Sequence, residues 1–269
     1  MKYSATLFLS GLTGVFAVTT TLPSSSGVSS VSTAIPVATS YDGGMKRFER
    51  NPKVCQDQTE TGEKDAMFIL ESGATLSNVI IGSTQAEGVH CRGTCTLNNV
   101  WWSDVCEDAA TFKQSSGTSY VNGGGAFAAS DKILQASIRR LWWLLGASPG
   151  WADTARPDAN INQFNGRGTL RIKGFYAKNY GKLVRSCGNC SGNGGPRNIV
   201  IEDSVAVDGG VLCGINTNYG DTCKISNTCQ DDGKSCDRYT GNDTGAEPTK
   251  IGSGPDGTYC TVSGLTTNC

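Results

Sequence analysis

A short motif that returns at a fixed spacing constrains the fold of this chain more than any other feature. Residues 75–81 (TLSNVII) return as residues 96–102 (TLNNVWW), with every residue number raised by 21, and Val121 follows Val100 at the same spacing. Repeats of this length are typical of solenoids, in which each copy buries its apolar face only by stacking on its neighbours.

Each copy is a short run of β-branched or aromatic residues bounded by Gly, Asn, Asp or Ser. Helical spacing is nearly absent from residues 41–130, and residues 168–172, 198–201 and 222–225 repeat the rhythm more loosely. The pattern predicts an all-β, single-domain parallel β-helix, with one strand of each coil stacked about 4.8 Å from the next. A β-sandwich is the alternative, but sandwiches lack an in-register repeat.

The amino terminus predicts secretion, because Lys2 precedes an apolar run that ends near residue 18, shorter than the roughly 20 residues that span a bilayer. We expect a signal peptide at 1–18, then a Ser/Thr-rich lead at 19–40 without strand period, which we interpret as a linker or propeptide-like segment, and the solenoid at 41–269. Secretion favours disulfides among the 12 cysteines over zinc sites.

The net charge of −1 gives no reason to expect nucleic acid as a partner. We expect a monomer that is free of the membrane once the signal is removed.

Acidic side chains follow the same period. Glu87 and Asp108 lie one repeat apart, and Asp131 lies slightly more than one repeat further on, so successive coils would stack them on one face. Carboxylates at the roughly 5 Å spacing of stacked strands repel each other strongly unless a cation lies between them. Asp104 and Glu107 add two more acids. Oxygen ligands without histidine or paired thiolates suit Ca²⁺ better than Zn²⁺. A solvated acidic ladder, or one protonated carboxyl, is the alternative.

Basic side chains accompany these acids: Lys113, Lys132, Lys182 and Arg185. Lys182 and Arg185 are three residues apart, an offset that does not place both on one face of a strand, so a turn must bring both to one groove. Cations beside a calcium site suit an anionic polymer, whose carboxylates can bridge to the metal and pair with Arg185. Solvated surface lysines are the alternative.

Six segments of the chain resemble the secreted pectate lyases of the short class, polysaccharide lyase family three. In chain order they are residues 66–82 (AMFILESGATLSNVIIG), 86–91 (AEGVHC), 99–109 (NVWWSDVCEDA), 131–135 (DKILQ), 181–190 (GKLVRSCGNC) and 214–221 (GINTNYGD). The resemblance extends from about residue 41 to residue 254 and is strongest to oomycete and fungal members.

The resemblance implies a right-handed parallel β-helix that degrades plant cell walls outside the cell. The implied reaction is calcium-dependent β-elimination on polygalacturonate, the de-esterified form of pectin, which yields 4,5-unsaturated oligogalacturonates. The implied calcium ligands are Glu87, Asp104, the Val105 carbonyl, Glu107 and Asp108.

The same matching implies catalytic roles for four cations. Lys132 matches the family's proposed general base, and Lys113, Lys182 and Arg185 would act beside it by binding substrate carboxylates. Asp131 is a further candidate for substrate binding. Glu60 or Glu63 is a looser match to an acid that faces the groove. A polygalacturonase, a hydrolase of the same architecture, is disfavoured because the sequence contains no Gly-His-Gly.

One segment departs from the family's pattern. The family passes directly from DKILQ to an Asn-Gly-x-Gly-Thr turn, here residues 165–169, whereas this chain carries 28 additional residues at 136–163. Lys132 and Lys182 are 50 residues apart, and 50 − 28 = 22, which is one coil. We hypothesise a translated intron; a real loop over the groove is the alternative. In the protein the segment could displace Lys132, which makes an inactive, pectin-binding or wall-binding β-helix the competing function.

Overall fold

Strands make up nearly all of the secondary structure in the part of the chain that the computed structural model describes, residues 17–56, 61–129 and 160–269. Two 3-10 turns, Glu63–Asp65 and Thr217–Tyr219, are the exceptions. The strands are β1 Val28–Val31, β2 Ile35–Val37, β3 Ser40–Arg50, β4 Phe68–Leu70, β5 Ala74–Ile81, β6 Val89–Cys91, β7 Cys95–Trp102, β8 Ala110–Phe112, β9 Thr118–Asn122, β10 Gly125–Ala129, β11 Asn160–Phe164, β12 Gly168–Lys173, β13 Tyr176–Tyr180, β14 Lys182–Ser186, β15 Arg197–Glu202, β16 Val205–Val207, β17 Val211–Asn216, β18 Thr222–Ser226, β19 Cys229–Gln230, β20 Cys236–Thr240, β21 Thr249–Ser253 and β22 Cys260–Ser263.

The strands form two sheets that run along the solenoid. The large sheet has 13 described strands, and the small sheet has nine, in the order β2-β4-β6-β8-β11-β14-β17-β20-β21. All the described strand pairs are parallel except β20–β21, which is antiparallel and closes the end of the small sheet. The prediction of an all-β, right-handed parallel β-helix is confirmed.

The spacing of the sequence repeat is the length of one coil. β5 and β7 pair Thr75 with Thr96 and Val79 with Val100, as the repeat predicts. The prediction that Val121 stacks on Val100 is wrong, because Val121 pairs with Leu97. That coil is therefore three residues longer than the repeat. The three additional residues lie in the turn between β8 and β9, where a loop absorbs them without changing the inward-facing register.

Apolar side chains stack in rows inside the coils. One row crosses six coils of the large sheet, and each of its side chains is at most 2% exposed: Leu76, Leu97, Val121, Ile172, Ile201 and Ile225. Burial of one such side chain contributes about 1.5–3 kcal/mol to stability. This continuous core gives the outward-facing side chains of both sheets a rigid support.

The lead segment differs from the sequence interpretation. Residues 28–31 form β1, which pairs with β3, and residues 35–37 form β2, which pairs with β4. The segment is therefore the first coil and not a linker. Its strand period is weak because an end coil stacks on one neighbour only, which leaves exposed and half-buried positions alternating along β1.

All 12 cysteines form disulfides, as the sequence predicts for a secreted chain: Cys55–Cys106, Cys91–Cys95, Cys187–Cys190, Cys213–Cys223, Cys229–Cys269 and Cys236–Cys260. The described part of the chain contains no helix with the length and hydropathy to cross a bilayer. Most of the predicted signal peptide and of the 136–163 segment lies outside the described residues.

Candidate functional site

Two of the predicted acids, Glu87 and Asp108, lie side by side at one edge of the small sheet. β6 pairs with β8 at a shift of one repeat, Val89 opposite Ala110, which sets Glu87 beside Asp108 just before the strands begin. β8 pairs in turn with β11, and β11 with β14, in a register that places Asp108 in the same row as Lys182, two strands away. Two strand spacings are about 10 Å, the scale of a saccharide-binding groove rather than of a direct ion pair.

Three buried carboxylates form what we call the acidic cluster: Glu87, Glu107 and Asp108. Each offers an oxygen within 4.8 Å of the others, and all three residues are at most 2% exposed. Ligand oxygens lie about 2.3–2.6 Å from calcium, so two ligands on opposite sides of one ion are about 5 Å apart. The cluster therefore has the dimensions and the donor chemistry of a site for a hard cation. Asp104 is exposed and is not a member of the cluster, and Val105 is buried beside it.

Glu87 is held by groups from a distant part of the chain. Its Oε1 accepts hydrogen bonds from the backbone N–H groups of Thr61 and Gly62, both at 2.9 Å, and its Oε2 lies 3.2 Å from His90 Nε2. Burial alone would raise the pKa of Glu87, but His90 and the two amides together lower it to about 2. Glu87 is therefore negatively charged near neutral pH. The sequence offered no signal for the two amides, which lie 25 and 26 residues before Glu87.

Arg185 is a buried cation in the middle of β14, only 7% exposed. Its Nη1 donates a hydrogen bond to Asn216 Oδ1 at 3.3 Å, and its Cζ lies 4.0 Å from the centroid of the Tyr239 ring. Burial lowers the pKa of Arg185, and nearby Tyr239 and Asp221 act in the opposite direction. A guanidinium remains charged in proteins, so this site holds a fixed positive charge where little water reaches it.

Lys182 and Arg185 lie side by side over Gly214 of β17. A β-carbon at Gly214 would lie 2.7 Å from Arg185 Cδ and 3.3 Å from Lys182 Cδ. Because Gly214 has no side chain, the stems of Lys182 and Arg185 occupy the space that a β-carbon would fill. The prediction of a turn between them is wrong, because both residues lie in β14, and their stems meet over Gly214 of the neighbouring strand.

Lys113 and Glu63 lie near each other, with Lys113 at the opposite end of β8 from Asp108. Lys113 is exposed and directly follows β8, and its amide donates to Cys91 O at 2.9 Å. Glu63 accepts hydrogen bonds from Arg92 at 2.7 and 3.3 Å. These bonds lower the pKa of Glu63 and outweigh its burial, with further contributions from the charges of Lys113 and His90. Sequence reasoning missed Arg92, which precedes Lys113 by one coil of the repeat.

Three of the sequence-predicted site residues lie outside the described residues: Glu60, Asp131 and Lys132. Their roles stay predictions. The described site therefore consists of the acidic cluster, the Lys182–Arg185 pair over Gly214, and Lys113 with Glu63 and Arg92 at its edge.

Comparison with known proteins gives a consistent result. The pectate lyase family model matches residues 19–139 and 150–246. The chain is 44% identical to probable pectate lyase F of Aspergillus terreus over 79% of each protein. It is also 44% identical to pectate lyase H of Emericella nidulans, over 85% of this chain and 77% of the relative.

Solved structures with the same fold include the catalytic domain of pectate lyase PelI from Erwinia chrysanthemi. It superposes with a TM-score of 0.65 at 29% identity and covers 90% of this chain and 99% of the domain. A second structure, PelI in complex with tetragalacturonic acid, has a TM-score of 0.63 at 27% identity, covering 87% of this chain and 68% of that one.

Proposed function

The chain belongs to the pectate lyase family, and on that premise we propose that it cleaves polygalacturonate by calcium-dependent β-elimination at the edge of the small sheet. Degradation of pectate by a lyase is the activity that its relatives carry. The observation that supports this site is the acidic cluster in the same row as Lys182, two strands from the strand that carries the buried Arg185.

The acidic cluster fits a calcium ion. Its donors are carboxylate oxygens within 4.8 Å of one another, and hard oxygen donors are what Ca²⁺ prefers. Glu87, Glu107 and Asp108 would hold the ion, with Asp104 and the Val105 carbonyl as further ligands. When bound, calcium supplies a positive charge that helps to neutralise the uronate carboxylate next to the reacting carbon.

Arg185 acts on the same substrate carboxylate. Removal of the C5 proton shifts negative charge onto the neighbouring carboxylate, so a cation that is already in position lowers the barrier. A guanidinium in a dry site binds a carboxylate more strongly than a solvated lysine does, because little water competes for it. Lys182 and Lys113 bind uronate carboxylates along the chain, and Asp131 is a further predicted substrate-binding residue.

Lys132 is the proposed base. Its neutral amine takes the C5 proton, the C5–H electron pair becomes the C4–C5 double bond, and the glycosidic oxygen leaves C4 with its electrons and is then protonated by water. A free lysine has a pKa near 10.4, so neighbouring cations must lower the pKa of Lys132 or the reaction must run best at alkaline pH.

The remaining features support a secreted enzyme. Six disulfides suit an oxidising compartment, and the curated relatives are fungal pectate lyases. We propose that the protein acts outside the cell as a monomer on the pectin of plant cell walls, after removal of the predicted signal peptide at 1–18.

Ultraviolet absorbance during incubation with polygalacturonate tests the proposal. The unsaturated product absorbs, whereas a hydrolase makes only reducing ends and a binding protein makes neither. The assay is run with calcium and then with a chelator, for the full chain and for a variant that lacks residues 136–163. Calcium-dependent absorbance from the full chain is the expected result. Absorbance from the shortened form alone would support the inactive wall-binding alternative for the full chain, and none from either would refute the mechanism.

A further inference from the structure

The guanidinium of Arg185 is held from several sides by residues of the last coils. Gly214 of β17 leaves room for its stem, and Asn216 of the same strand accepts its hydrogen bond. Asn216 is itself fixed, because its Nδ2 donates to Cys187 O and to Asp221 Oδ2, both at 3.0 Å. The Tyr239 ring lies 4.0 Å from the guanidinium carbon. The orientation of the guanidinium is therefore set by contacts outside its own strand.

The register between β17 and β20 fixes the position of Tyr239. β17 and β20 are parallel neighbours in which Tyr239 pairs with Asn216, so the two residues that touch the guanidinium lie side by side. The Tyr239 hydroxyl donates to Asp237 Oδ2 at 3.4 Å, and Asp237 Oδ1 is bound by Lys250 and Ser253 of β21 at 2.7 and 2.8 Å. The antiparallel β20–β21 hairpin thus anchors the ring.

The burial of the Tyr239 ring excludes a direct role in stacking on a sugar. Exposed tyrosines in saccharide-binding grooves stack on sugar rings, but Tyr239 is only 9% exposed and the guanidinium already lies against its ring. A ring in this situation has no open face for a sugar. A cation over an aromatic face is attracted by the ring quadrupole, most strongly where water is excluded.

We propose that Tyr239 is a positioning residue that holds the Arg185 guanidinium in the orientation that meets the substrate carboxylate. This inference rests on the proposed function, in which Arg185 pairs with that carboxylate. Arginine has four rotatable side-chain bonds, and a misplacement of about 1 Å at a reacting group reduces the rate markedly. The aromatic contact removes this freedom before substrate binds.

The experiment compares Tyr239→Leu with Tyr239→Phe, which keeps the ring and loses only the hydroxyl contact with Asp237. Tyr176→Leu is the matched control, because Tyr176 is 6% exposed and packs on Phe127 of the large sheet, away from Arg185. We expect kcat/KM on polygalacturonate to fall roughly 5- to 30-fold in Tyr239→Leu, from the usual strength of a desolvated cation–π contact. Tyr239→Phe should stay within about threefold of the wild type, and Tyr176→Leu should lose thermal stability without this loss of rate.

Nuclear magnetic resonance of the arginine Nε–Hε groups supplies a readout that does not depend on activity. The Arg185 signal is identified by its loss in Arg185→Lys. In the wild type and in Tyr239→Phe the ring should shift this signal upfield, and in Tyr239→Leu it should return to the position of an unstacked arginine. If Tyr239→Leu does not fold, Tyr239→Met and the wild-type spectrum test the same contact.

The outcomes distinguish a failure of the positioning role of Tyr239 from a failure of the proposed function. A wild-type signal without an upfield shift, or a Leu variant that loses the shift and keeps its rate, would overturn the positioning role and leave the proposed function intact. An equal loss of rate in Tyr239→Phe and Tyr239→Leu would also overturn it, because the ring would then not be the relevant group. A wild type that makes no unsaturated product would refute the proposed function, while the spectra still decide whether Tyr239 orients Arg185.

Discussion

Neutralising one carboxylate of the acidic cluster should remove repulsion in the absence of calcium and reduce the stabilisation that calcium gives. Glu107→Gln keeps the shape of the side chain and removes one negative charge from a group in which three carboxylate oxygens lie within 4.8 Å. Without a cation these charges repel one another, so their mutual repulsion opposes folding. With calcium bound, the same charge contributes to affinity.

The magnitude follows from the geometry. At 4.8 Å and an effective dielectric constant near 20, each pair of charges repels by about 3.5 kcal/mol, and Glu107 takes part in two such pairs. Solvation and neighbouring groups reduce this value. Calcium at 100 times its Kd should stabilise the wild type by about 2.7 kcal/mol, which is roughly 5–10 °C in Tm for a chain of this size. A variant with 100-fold weaker affinity should gain only about 0.4 kcal/mol under the same conditions.

Thermal unfolding in chelator and in a calcium titration measures both effects. In chelator, Glu107→Gln should be at least as stable as the wild type, and its gain in stability on addition of calcium should be smaller by about 2.3 kcal/mol (2.7 − 0.4). Glu202→Gln is the control, because it removes a carboxylate that pairs with Arg171 at 2.7 Å on the surface of the large sheet. That control should change stability little and equally in both conditions. A loss of stability in Glu107→Gln of the same size with and without calcium would refute the calcium role of the cluster.

Three further perturbations test other parts of the structure. Gly214→Ala should lower kcat/KM at least tenfold with little change in Tm, because its β-carbon would lie 2.7 Å from Arg185 Cδ; unchanged kinetics would contradict this. Asp256 accepts hydrogen bonds from the amides that follow it, above all that of Cys260, which lower its pKa to about 2. Its stabilisation is therefore present above about pH 4, the unfolded value, and is lost as the pH falls toward 2, so the difference in Tm between wild type and Asp256→Asn should shrink over this range; a constant difference would argue against it. Removal of the disulfide that joins residue 106 to residue 55 should weaken calcium binding, because this bridge anchors the loop that carries Glu107. Isothermal titration with calcium measures the Kd, and an unchanged Kd would exclude that anchoring role.

Much of the fold could be read from the sequence because strand stacking is regular. The first coils keep the strict spacing of the repeat, so the repeat alone placed Glu87 beside Asp108, and the structure brings their carboxylates together. Glu107 could be added because it directly precedes Asp108. The first coil could not be recognised, because a coil at the end of a solenoid has one neighbour and shows little alternation of apolar and polar residues.

The sequence by itself determined the architecture and the position of Glu87 beside Asp108. Backbone hydrogen bonding imposes a fixed distance between stacked strands, so a constant repeat converts sequence spacing directly into position. The tertiary structure alone decided what surrounds those groups. β14, β17 and β20 follow one another at unequal shifts, with Val184 opposite Cys213 and Cys213 opposite Cys236, and such variable turns carry no register signal. For that reason the contact of Arg185 with Tyr239, and that of Glu87 with the amides of Thr61 and Gly62, follow from the folded coils and from no pattern in the chain.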